Sequence, residues 1–172
     1  VILALPPASA QRALPGLEVP QASRAIVNGH FRCDGIRVPS LPYDSPLIGV
    51  LNGTAEWLFL RGDIVSVTVS AADRLAELDE DTIATRMWDD IRKALRLPQD
   101  APRPVCRIVK EKRATFAQTP AEERRRAATV TPYQNLFLAG DWTDTGLPAT
   151  IEGSIRSGYA AAAAVAKPQH LG

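Results

Sequence analysis

The sequence predicts an α/β fold, and three observations carry that reading. Near the end of the chain an apolar run, Leu136 to Ala139, stops at Gly140-Asp141; after a polar turn, a helix of small residues runs from about Ala149 to Val165. A short apolar run closed by Gly reads as a buried strand, so this region is strand, turn and helix. Earlier, Asp63 to Ser70 alternates strictly, with Val65, Val67 and Val69 on one face and Ser66, Thr68 and Ser70 on the other. That is the period of two expected of a half-buried strand. Between these stretches, Ile83, Met87, Ile91 and Leu95 recur at four-residue spacing behind the acidic start Asp79-Glu80-Asp81. This is an amphipathic helix whose positive end carries negative charge.

The other elements follow in chain order. Val1 to Leu5 reads as the end of a buried strand, which Pro6-Pro7 ends. Ser9 is placed to cap a short helix, Ala10 to Leu14, that Pro15-Gly16 terminates. Ala25 to Arg32 is a strand. Pro46 to Leu51 and Glu56 to Leu60 join Asp63 to Ser70 in an antiparallel meander, with turns at Asn52-Gly53 and Arg61-Gly62-Asp63. Trp57 and Phe59 share a face and are expected in the core. The amphipathic helix ends by Leu97-Pro98, and its outer residues Arg86, Asp90, Arg92 and Lys93 read as a solvated surface. Val105 to Phe116 is a further strand. The mixed run Glu122-Glu-Arg-Arg-Arg126 reads as a solvated loop or helix turn.

At 172 residues the chain makes one good-sized domain or two small ones. Hydrophobic residues at 45% and charged residues at 23% match an ordinary protein with a real core. A net charge of +1 supplies no attraction for nucleic acid. Cys33 and Cys106 stand far apart with no C-x-x-C, so they read as reduced thiols rather than a disulfide framework. His30 and His170 have no neighbouring ligand set, and no metal site is expected. There is no 18-residue apolar span.

No hydrolytic triad, paired-carboxylate site or phosphate loop can be assembled, since Ser154 and Ser157 have no suitably placed His. What remains is cofactor chemistry at the strand–turn–helix. A helix whose side chains are nearly all small can lie against a planar ligand, and its free N–H groups suit an anionic one. The bland reading of the same stretch is a plain βα turn with Asp141 as a local cap.

The wording Leu138-Ala-Gly-Asp-Trp-Thr143 followed by Thr145-Gly-Leu-Pro-Ala-Thr-Ile-Glu-Gly153 resembles the C-terminal flavin signature of the amine oxidase and carotenoid desaturase superfamily. It is most similar to the squalene-associated branch, the hydroxysqualene dehydroxylases of hopanoid synthesis. The resemblance implies the C-terminal part of a Rossmann-type FAD-binding domain with an inserted substrate domain of antiparallel sheet plus helix. Its divisions would be residues 1–7 as the end of an FAD-domain strand, 8–116 as the substrate domain, 117–134 as a connecting loop and 135–172 as the returning strand and helix. The fingerprint G-x-G-x-x-G, which holds the pyrophosphate in such proteins, is absent from the sequence; the chain is therefore expected to be a C-terminal piece that lacks the N-terminal half of its FAD domain.

The family pattern further implies roles for particular residues. The carboxylate of Asp141, after Gly140, would bind the FAD ribityl and phosphate region. The backbone at Thr150 and Ile151 would face the flavin N1/C2=O edge, with Gly153 allowing close approach. A helix N-terminus stabilises negative charge on the reduced ring there by about 0.3–1 kcal/mol. Asn28, His30 and Phe31 match a family Asn-x-His-Phe run, and Arg113 and Phe116 fall in Glu111-Lys-Arg-Ala-Thr-Phe116. Both sets are candidates to line a substrate cavity with Trp142, Leu147 and Pro148. Their alternatives are a strand with one polar face and surface charge flanking a strand. The implied cofactor is FAD, with NADPH as electron donor, and the implied substrate is an apolar isoprenoid. The implied location is cytoplasmic, with peripheral contact at the inner face of the membrane. A phytoene-type carotenoid desaturase and a non-catalytic truncated lipid-binding domain are the competing readings.

Overall fold

A computed structural model describes residues 1–36, 41 and 44–166. The chain forms two compact units, one from Arg24–Ala114 and one from Val1–Ser23 together with the segment from Thr115 onward. The second unit opens with strand β1 (Ile2–Leu3) and helix α1 (Pro7–Ala13). The strand is shorter and more open than expected, with Val1 79% and Ile2 43% exposed. Among the described residues its only strand partner is a single two-residue neighbour, which is too little sheet to cover it. The helix also begins before Ser9. Pro7 occupies the first turn, where its fixed φ suits the helix and its missing N–H is not needed.

The Arg24–Ala114 unit is built on the five strands β2 (Ser23–Arg32), β3 (Leu47–Gly49), β4 (Trp57–Arg61), β5 (Ile64–Val69) and β6 (Cys106–Phe116). The order across the sheet is β3-β4-β5-β2-β6. The expected meander is present, with β4 antiparallel to both β3 and β5, and Val67 paired to Leu58. β2 then adds antiparallel to β5, pairing Phe31 with Val65 and Val27 with Val69.

One face of this sheet is covered by α3 (Glu80–Ala94), which follows the four-residue helix α2 (Asp73–Ala76). Val27, Phe31, Leu58, Val65, Val67 and Ile108 pack with Ile83, Met87 and Ile91 in one buried cluster. Each fully buried aliphatic or aromatic side chain contributes about 1.5–3 kcal/mol. Phe31 stacks on Trp88 at 5.9 Å between ring centroids. A Cβ on Gly29 would fall 2.7 Å from the Met87 sulfur and 3.0 Å from the Phe31 ring, so a side chain there would force these core neighbours to shift. Asp79 caps α3, its carboxylate accepting from the Thr82 N–H at 2.8 Å.

Two expectations fail in this unit. Trp57 is 46% exposed and Phe59 only half-buried, because alternation along β4 turns Leu58 inward instead. Asp90 is not a solvated surface charge. Its carboxylate accepts from the N–H groups of Thr54 at 2.6 Å and Ala55 at 3.0 Å and so fastens the loop before β4 to α3.

Candidate cofactor site

In the other unit, β7 (Phe137–Leu138) lies parallel to β1, with Ile2 opposite Phe137 and Leu3 opposite Leu138. The Ala139 N–H donates to Leu3 O at 3.1 Å, and the chain then turns at Gly140. Gly140 has φ +149°, and a Cβ there would lie 2.6 Å from Trp142 Nε1, so only glycine fits. The turn closes on itself. Trp142 is fully buried and its Nε1 donates to Leu5 O at 2.9 Å, while the Thr143 hydroxyl donates to Gly140 O at 2.8 Å.

Helix α5 (Ile151–Ala166) follows. Thr150 caps it, its hydroxyl accepting from the Gly153 N–H at 3.1 Å. The N–H groups of Ile151 and Glu152 have no protein acceptor among the described residues. Gly153, Ser157 and Ala161 form the buried stripe, at four-residue spacing. Ala161 packs on Phe137 and Ala139. A Cβ on Gly153 would sit 2.8 Å from Pro148 O, which explains the absence of a side chain there. Ser157 does more than stay small, since its hydroxyl accepts from the Gly140 N–H at 2.8 Å and donates to Ser154 O at 2.6 Å. The strand end and the helix are thereby joined directly at the turn. Ile151, Ile155 and Tyr159 lie on the exposed side.

Gly140, Asp141, Thr150, Ile151 and Gly153 therefore all stand where β7 passes into α5. The Asp141 carboxyl is half-buried, and desolvation pushes it above the usual carboxylate range despite backbone N–H groups and the charge of Arg126 pulling it down. A half-buried carboxyl on the turn after β7 and N–H groups without a protein acceptor at the start of α5 are acceptors and donors suited to a ligand with hydroxyl groups and a charged or electron-rich edge. Leu147 is half-buried and Pro148 exposed on the same turn.

Among the other cavity candidates, Phe116 is buried in this unit, while Asn28, His30, Phe31 and Arg113 belong to the Arg24–Ala114 unit. Alternation on β2 separates the family run into two faces. Phe31 enters the core, whereas Asn28 accepts from the Thr68 hydroxyl at 2.8 Å and His30 Nδ1 meets the Ser66 hydroxyl at 2.9 Å on the outer side. Arg113 is exposed.

The mixed charge run is the main departure from expectation. It begins as α4 (Pro120–Glu123), capped by Thr119, and two of its charges point inward. Glu122 is 7% exposed and accepts from the Gln21 N–H at 2.6 Å. The Arg126 side chain is 4% exposed and reaches into the turn after Gly140. Only the i, i+4 spacing of Glu122 and Arg126 hinted that the two share a side, because a charge run ordinarily reads as a solvated face.

A parallel strand pair that passes through Gly140 and Asp141 into a small-residue helix, in a chain that also carries an antiparallel sheet, makes this a mixed α/β protein. The particular family is equally plain. Residues 1–166 match the flavin containing amine oxidoreductase family, and the chain belongs to it. It is 49% identical over 162 residues to a hydroxysqualene dehydroxylase of Rhodopseudomonas palustris, 48% to one of Sinorhizobium fredii and 44% to one of Zymomonas mobilis. Each alignment covers 94% of this chain but 37% of the relative, so the chain spans little more than a third of those proteins. Among the described residues no helix is long and apolar enough to cross a membrane.

Proposed function

We propose that this chain is the C-terminal portion of an FAD-dependent hydroxysqualene dehydroxylase. The observation that carries the reading is the 44–49% identity, sustained over nearly the whole chain, to three proteins bearing that name. The β7–Gly140–Asp141–α5 arrangement supports it, because its acceptor and donor groups fit a flavin nucleotide. The fold reading is a Rossmann-type FAD domain, with residues 1–7 and 135–172 as its strands and helix, 8–116 as the inserted substrate domain and 117–134 as the connection.

In this reading the Asp141 carboxyl accepts hydrogen bonds from cofactor hydroxyls. The backbone at Thr150 and Ile151 presents N–H groups and the positive helix end to the electron-rich edge of the ring. Gly140 and Gly153 keep the backbone close. Bound FAD, once reduced by the electron donor, would supply the hydride that takes the place of the hydroxyl of hydroxysqualene, the hydroxyl taking up a proton and leaving as water to give squalene. Asn28, His30, Phe31, Arg113, Phe116, Trp142, Leu147 and Pro148 are proposed to shape the cavity for the apolar chain, some of them through the shell behind the surface. NADPH is the proposed electron donor. Because the substrate is a C30 hydrocarbon alcohol, peripheral contact with the inner face of the membrane is part of the proposal.

The test follows the visible flavin band of the complete gene product under anaerobic conditions. Reoxidation of prereduced flavin by hydroxysqualene, with squalene formed, supports the dehydroxylase. Bleaching of oxidised flavin by phytoene would instead make the protein a desaturase and reverse the direction of electron flow.

A further inference from the structure

We propose that Arg126 is a positioning residue of the flavin site, holding the Asp141–Pro148 turn in its binding conformation while leaving the Asp141 carboxylate free for the cofactor. The inference rests on the flavin reading above. Its guanidinium donates to three backbone carbonyls of the turn: Thr143 O at 2.6 Å, Leu147 O at 2.8 Å and Asp141 O at 3.2 Å. It pairs with Glu123 at 3.1 Å and lies 5.4 Å above the Phe116 ring. The segment after it is laced to the same region, with Ala127 O accepting from the Asp144 N–H at 2.9 Å and Thr129 O from the Leu138 N–H at 2.8 Å.

The choice of partners is informative. A buried guanidinium beside a half-buried carboxylate would ordinarily form a forked ion pair with it. Arg126 instead takes the Asp141 carbonyl and satisfies its charge with Glu123, and among the described residues it makes no hydrogen bond to the Asp141 carboxylate. Arg126 thus leaves the Asp141 carboxylate, which among the described residues meets only the backbone N–H groups of its own turn, with acceptor capacity for a ligand. No other side chain type reproduces this, because a lysine concentrates its donors on one atom and cannot reach carbonyls spread over seven residues of turn. Three carbonyls stripped of their donor would pull the turn toward solvent or into a new arrangement.

The experiment measures FAD affinity of the flavin-stripped complete gene product, well below its melting temperature, for Arg126→Lys and Arg126→Ala. The expected result is a dissociation constant raised about tenfold or more in both variants, with a visible flavin band that loses its wild-type fine structure. Free guanidinium at millimolar concentration should tighten FAD binding to Arg126→Ala and leave Arg126→Lys unchanged. Affinity and spectrum equal to wild type in either folded variant would overturn the proposal, as would a loss of affinity in Arg126→Ala that guanidinium does not reverse. If Arg126→Ala does not fold, Arg126→Lys decides alone, through its dissociation constant and band shape. A wild-type protein that binds no FAD refutes the flavin reading itself, whatever the variants do.

Discussion

At the scale of single residues, Asp141 shows a conflict between stability and binding. Its carboxyl is held above the ordinary value of 3.8, with desolvation the largest cause. Between that ordinary value and the raised native one, the folded protein keeps a proton that the unfolded chain has released. Stability therefore declines as pH rises through this window and stays lower above it. Asp141→Asn cannot ionise and escapes the decline. Melting of the flavin-free protein should show the variant more stable at pH 7, by about 2–4 °C for each kcal/mol recovered, with the difference vanishing below the ordinary carboxylate value. The same substitution, and Asp141→Ala more so, should weaken FAD retention on gel filtration. Full flavin occupancy in Asp141→Ala would remove the residue from the site. Gly153 makes a steric demand at the other end of the turn. Gly153→Leu must displace Pro148 O, which a Cβ would approach to 2.8 Å, at a cost of about 1–3 kcal/mol. Lowered thermal stability together with reduced flavin content is expected, and normal content would show that the helix has room to shift.

Elements are fastened to one another here by polar groups placed far apart in sequence. Asp90 on α3 holds the loop before β4 through the N–H groups of Thr54 and Ala55. Asp90→Ala leaves two N–H groups without their acceptor and should destabilise the Arg24–Ala114 unit by about 1–3 kcal/mol. Denaturant unfolding reads this as a lowered midpoint with an unchanged slope. The pairing of β7 with α5 is fastened in the same way, by the Ser157 hydroxyl bridging Gly140 and Ser154. Sequence patterning found the two long helices, α3 and α5, and most strands close to their true limits, because periodicity and capping are written within a few residues of one another. It misassigned Trp57 because alternation along β4 turns Leu58 inward in its place, and Asp90 and Arg126 for one shared reason. Each is a residue whose type names its usual surroundings, and its actual surroundings are supplied by a distant segment.

Across the whole molecule, the hydrophobic core is unevenly divided. The Arg24–Ala114 unit holds a cluster of nineteen buried residues among those described, whereas the clusters of the other unit hold six and three. The larger cluster is drawn from a continuous stretch of chain. Residues 23–116 expressed alone should therefore fold, showing a single cooperative denaturant transition and native near-ultraviolet circular dichroism. A gradual transition with exposed apolar surface would mean that this sheet and helix depend on the rest of the protein. The other unit is assembled from both ends of the chain and leaves Val1, Ile2, Ile151, Ile155 and Tyr159 exposed, so no independent folding is expected of it.

The sequence by itself determined the α/β class, the meander, the amphipathic helix with its Asp79 cap, and the passage from an apolar strand through Gly140-Asp141 into a small-residue helix. These are local patterns, and backbone geometry converts them directly into structure. Only the tertiary structure decided the parallel pairing of β1 with β7, the place of β2 between β5 and β6, and the inward turn of Glu122 and Arg126. Those features depend on which polar group finds which partner across as many as 137 residues, as between Trp142 and Leu5. Burial makes each such partner obligatory, and nothing in the neighbouring residues says which one it will be.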